Sequence, residues 1–153
     1  MTWETVLRRA WLKKGEKTVI KVDRTKKHQN YFGALNLKDG KEILVPLEWQ
    51  NQQTMIFALE KLSEYYPNKR ICILWDNAAW HKGKDLRAKL KKGQSLAHVH
   101  LINFPPYAPD ENPQEHVWKA GKDEIANYTY DSFEVLNQLF QKTLHLQTFN
   151  YKR

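Results

Sequence analysis

One cysteine, Cys72, is all that this chain of 153 residues offers for cross-linking. No internal disulfide can form, and a zinc site of the finger type, which draws on several thiolates, cannot be assembled. Long apolar runs are missing as well. Nothing approaches the roughly 18 consecutive apolar residues of a membrane span, and no apolar stretch followed by small residues stands near Met1 as in a secretory leader. A membrane partner is therefore not expected. Glycine and proline number six each, with no Gly/Ser tract and no internal repeat, so no linker divides the chain and residues 1–153 read as one domain. Acid is in deficit: 17 Asp and Glu stand against 25 Lys and Arg, for a net charge of +8. A polyanionic partner is the first implication of that imbalance.

What is present suffices for an ordinary globule. Hydrophobic residues make up 41% and aromatics 12%, and a chain of this size buries about 70% of its unfolded surface. The positive charge is uneven. Residues 1–28 hold nine Lys/Arg against three acids, and residues 82–92 hold six against one. These residues do not lie along a long helix with a Leu/Phe face, so nucleic acid suits the pattern better than a lipid surface.

Along the chain, residues 18–22 and 30–37 read as strands. Asp39-Gly40 supplies a hairpin turn, because Asp-Gly tolerates positive φ, and 42–47 reads as the returning strand. Met55, Ile56, Leu59 and Leu62 recur at helical spacing within 53–65. Residues 70–75 form a short continuous apolar run, the pattern of a strand covered on both faces, with Cys72 as a small buried hydrophobe inside it. A short basic helix over 83–92 turns Leu86 and Leu90 inward, and 98–104 forms a further strand. Asn112-Pro113-Gln114-Glu115 is a helix start with Asn as cap and Pro at the first helical position, for a helix running to Asn127. A last helix opens at Asp131 or Ser132, with Phe133, Leu136, Leu139, Phe140 and Leu144 on one face. The order predicts a mixed α/β domain.

Two carboxylates stand where chemistry gathers. Asp76 ends the buried strand, and ligands in open α/β sheets collect at carboxyl ends of strands. Its plain structural reading is a cap for the following turn. Glu115 lies on the first turn of a helix, where a Glu also reaches back to the N-cap amide. Brought together, the two would offer hard oxygens to magnesium or manganese. His98 and His100 alternate on a strand, but two His without a third ligand read as ordinary packing or surface residues. Trp75, Trp80 and Trp118 read most simply as core.

The stretch Ile73-Leu74-Trp75-Asp76-Asn77-Ala78-Ala79-Trp80-His81, followed by Phe104-Pro105-Pro106-Tyr107-Ala108-Pro109-Asp110-Glu111-Asn112-Pro113-Gln114-Glu115-His116-Val117-Trp118, resembles the DDE transposases of bacterial insertion sequences and their mariner-like relatives. Trp11-Leu12-Lys13-Lys14-Gly15 and Phe32-Gly33-Ala34-Leu35 extend the resemblance over nearly the whole chain. It implies a ribonuclease-H-like mixed sheet flanked by helices, and metal-dependent DNA cleavage and strand transfer with two magnesium or manganese ions. Asp76 matches the second catalytic Asp and Glu115 the third carboxylate, both as metal ligands. Asn77 and His81 match supporting positions beside the metals, while Asp110 and Glu111 match loop positions. Lys82, Lys84, Arg87 and Lys91 of the basic segment would track DNA phosphates. The family's first Asp has no counterpart here, since only Glu4 precedes Trp11 and no apolar strand leads into it. The expectation is a domain whose first strand is missing or incomplete, inactive alone, completed by an upstream transposase fragment, and able to form a homodimer in the bacterial cytoplasm on nucleoid DNA. The alternatives are a non-catalytic remnant or nucleic-acid-binding module, and a structure-specific nuclease.

Overall fold

The structure is a computed structural model, and it describes residues 8–9, 11, 13–15, 19, 27–76, 83–105 and 112–150. The strand expected at 18–22 lies outside the described residues apart from Val19, which is in no strand.

Strands β1 (Asn30–Leu35) and β2 (Glu42–Leu47) form an antiparallel hairpin, with Asn30 opposite Leu47 and Leu35 opposite Glu42. β1 stops short of the expected 37 because Asn36 already belongs to the turn, accepting from the Gly40 amide at 2.8 Å. Gly40 adopts φ 69°, the left-handed conformation for which glycine is suited. Its carbonyl also accepts from the Phe149 amide at 2.8 Å, docking the end of the described chain on the turn.

Helix α1 (Gln52–Tyr65) starts at a capping box in which Asn51 and Thr54 exchange side-chain to backbone bonds. It buries Met55, Ile56, Ala58, Leu59 and Leu62. Ile43, Val45 and Leu47 alternate onto this helix, as a half-buried strand requires. Strand β3 (Ile71–Trp75) then pairs in parallel with β4 (Val99–Asn103), and the short helix α2 (Lys84–Lys89) lies in the crossover. Leu86 is fully buried and Leu90 packs beside it in a cluster with Met55, Leu59, Trp75, Leu96 and Val99.

Helices α3 (Pro113–Glu124) and α4 (Phe133–Leu146) cover the other face of the hairpin. Tyr31, Leu35 and Leu44 meet Val117, Leu136, Phe140 and Leu144 there, with the Trp118 and Phe140 rings stacked at 6.2 Å. α3 ends at Glu124 and passes through turn residues up to Asn127, which takes φ 62°. Ser132 caps α4 through the Val135 amide. The inward stripe of α4 is Leu136, Phe140 and Leu144, four residues apart; Leu139, expected on it, lies at its edge and is exposed.

A larger expectation is also corrected. β3 is covered on one face only: Ile71, Ile73 and Trp75 face the core, while Cys72 and Leu74 are exposed, as are His100 and Ile102 of β4. The reason lies in the helices. α3 and α4 both pack on the β1–β2 hairpin, so no second layer covers the far side of β3 and β4 among the described residues. Among the described residues the sheet is not continuous either: β1–β2 and β3–β4 are separate two-stranded sheets. They share α1 beneath them, with Phe32, Ile71 and Ile73 packing against both core clusters along it.

Candidate functional site

Parallel pairing puts the carboxyl ends of β3 and β4 on the same side, and that end is braced. The Phe104 amide donates to the Trp75 carbonyl at 2.9 Å, and the Trp75 indole donates to Asn103 Oδ1 at 2.7 Å. Asp76 follows directly and is exposed to solvent. Strand and brace thus present a carboxylate at the position where α/β sheets bind ligands.

Glu115 occupies the third position of α3. Asn112 caps that helix by accepting from the Gln114 amide at 3.1 Å, with Pro113 at the first position, where its missing N–H costs nothing. The Glu115 carboxylate makes no return bond to the cap among the described residues; the reciprocal box seen in α1 is not formed here. Glu115 is exposed, so its oxygens are not committed to the helix end. In kind, Asp76 and Glu115 suit magnesium or manganese, which take hard oxygen donors. In number they fall short: among the described residues no group of three or more His, Cys, Asp or Glu side chains converges to hold a metal.

Lys84 and Arg87 on α2 and Lys91 just beyond it are exposed and make no ion pair among the described residues. The acid of this segment, Asp85, accepts from Gln53 at 3.1 Å, and Lys89 lies 3.7 Å from Glu60. The remaining basic side chains are therefore left facing solvent together. Near the N-terminus, Arg8 is instead taken up by the fold, pairing with Asp123 at 2.8 Å. Asn77, His81 and Lys82 lie outside the described residues, as do Glu4, Trp80, Asp110 and Glu111.

The residue that sequence reasoning missed is Glu42. It is 5% exposed, and its Oε1 accepts from Gln114 Nε2 at 2.7 Å, while its Oε2 is buried with no partner among the described residues. Burial pushes its carboxyl up to about 8 against the opposing effect of the Gln114 bond. Its position at the start of a strand beside a polar turn reads as surface. The available signal was Leu44, which shares its face and required that face to be covered.

No helix among the described residues is long and apolar enough to cross a membrane. The family model described as DDE superfamily endonuclease matches residues 2–137. Among solved structures, the chain resembles that of a Mos1 transposase paired-end complex with left transposon end, at 17% identity and a TM-score of 0.68. That likeness covers 96% of this chain and 46% of the other, so this chain spans under half of its length. The fold expected from the sequence, a mixed α/β domain of ribonuclease-H-like type, is the fold shared with that structure. No curated protein matches the chain.

Proposed function

Because the chain belongs to the DDE superfamily endonucleases, we propose that it is the catalytic-domain portion of an insertion-sequence transposase, which cuts a phosphodiester at an element end and joins the freed 3′ hydroxyl to target DNA. The observation that supports this best is the placing of two solvent-facing carboxylates at element ends: Asp76 beyond the braced end of β3, and Glu115 on the first turn of α3. When bound, two magnesium or manganese ions supply charge stabilisation for the attacking and leaving oxygens of an in-line displacement. Asp76 and Glu115 would hold them.

A third carboxylate would come from an upstream transposase segment. An extended strand from that segment, set between β1 and β3, would join the two sheets and deliver its acid beside Asp76. Asn77 and His81 would orient ligands or touch phosphate. Lys82, Lys84, Arg87 and Lys91 would hold the DNA backbone, each contact adding to a salt-dependent affinity. The chain would assemble as a homodimer on DNA, a reading in keeping with a solved relative described as a paired-end complex with left transposon end. The bacterial cytoplasm, at the nucleoid, is the corresponding location.

The test is reconstitution. The chain mixed with an upstream fragment carrying an apolar strand that ends in Asp should nick element-end DNA with magnesium or manganese, and Asp76→Asn or Glu115→Gln should abolish it. A second reading, a nucleic-acid-binding remnant, is favoured by the shortage of converging acids among the described residues. It stands if no metal-dependent nicking appears while Asp76→Ala leaves DNA binding unchanged. Cutting of branched DNA without strand transfer would instead identify a structure-specific nuclease.

A further inference from the structure

A buried carboxylic acid with one satisfied oxygen is a poor stabiliser. Its second oxygen has lost water and gained nothing, and an apolar side chain of similar size would fill the space without that cost. Glu42 is such a group, and what its bonded oxygen holds is Gln114, the residue next to Glu115.

We propose that Glu42 is a positioning residue for Glu115: by holding Gln114 against the hairpin, it fixes the rotation of the first turn of α3 and so the direction in which the Glu115 carboxylate leaves the helix.

Helix geometry connects the two. Successive side chains diverge by about 100° around an α-helix, so a Gln114 pinned toward the sheet turns Glu115 away from it. Gln114 is half-buried and Glu115 exposed, as this requires. Trp118, one turn further, lies on the same stripe and stacks on Phe140. Stacked apolar rings tolerate small rotations and slides; the 2.7 Å bond between Gln114 and Glu42 is directional and spans 72 residues of chain. Gly33 makes room for the arrangement. A Cβ there would overlap Gln114 Nε2, Glu42 Oε1 and the Trp118 ring together, so all three converge over one bare stretch of β1. Asn112 and Pro113 cap the helix but leave its rotation against the sheet open. The inference concerns the same site as the proposed function and rests on that reading only for what Glu115 then does.

The experiment compares Glu42→Met, Glu42→Gln and Gln114→Leu with the wild-type chain. The readouts are the Glu115 amide and carboxyl carbon NMR signals and the denaturant midpoint at pH 7. The expected result is an unchanged or higher midpoint for Glu42→Met with displaced or multiplied Glu115 signals, the same displacement in Gln114→Leu, and wild-type signals in Glu42→Gln, which keeps the acceptor. Glu115 signals that stay in place in Glu42→Met or Gln114→Leu would overturn the proposal. So would a large fall in the midpoint of Glu42→Met, which would make Glu42 a structural residue. These signals need no metal, so the proposal can fail while manganese titration of Asp76→Asn and Glu115→Gln upholds the metal site, or survive if that titration shows none.

Discussion

Glu42 makes the stability of this domain depend on pH in an unusual direction. In the unfolded chain its carboxyl ionises at the ordinary 4.5, whereas in the fold burial holds the proton until about 8. Between those values the folded state binds more protons than the unfolded state, so stability falls as pH rises. The contribution is fully present below 4.5 and is lost as pH climbs through about 8. At about 1.4 kcal/mol per pH unit, the interval corresponds to about 5 kcal/mol. That is a third or more of the roughly 5–15 kcal/mol that holds a domain together. Urea unfolding of the wild type and of Glu42→Gln, at steps from about pH 5 to about pH 9, isolates the effect, because every other titrating group is common to both. The wild type should weaken relative to the variant by several kcal/mol across the window. Parallel stability curves would refute the reasoning and place Glu42 in contact with water or a cation.

Three further outcomes are expected. Phe140 is 1% exposed between α3, α4 and Tyr31, so Phe140→Ala should cost about 3–5 kcal/mol in denaturant melts. Lys84→Ala, Arg87→Ala and Lys91→Ala combined should leave stability nearly unchanged while lowering the slope of log affinity for duplex DNA against log salt by about 2.7. An unchanged slope would remove this face from the DNA interface. Cys72 is exposed on β3 and should react with a thiol reagent in the native state at a rate close to that of the unfolded chain.

Features set by neighbouring residues were legible in the sequence. Asp39-Gly40 marked the hairpin, Asn112-Pro113 the start of α3 and Ser132 the start of α4, because turn and cap chemistry acts within a few positions. The positions of Asp76 just after β3 and of Glu115 on the first turn of α3 were legible for the same reason, each lying at the end of an element whose pattern was strong. What depended on how elements pack was not. The run 71–75 has the composition of a doubly covered strand, yet which sheet α3 and α4 would choose is written in contacts more than 60 residues apart, such as that between Glu42 and Gln114. Leu139 failed on a finer scale, since a helix four turns long with an apolar stripe still leaves the edge of that stripe in water.

The division of the strands into two pairs bears on how the domain opens. The hairpin closes over a six-residue connection, whereas β3 and β4 meet only after a crossover carrying α2. Among the described residues no ladder of backbone bonds links the pairs, and side chains packed along α1, with Phe32, Ile71 and Ile73, transmit strain from one to the other. Amide protons should accordingly exchange as two cooperative units with α1 shared between them, the parallel pair escaping protection before the hairpin and its two covering helices do.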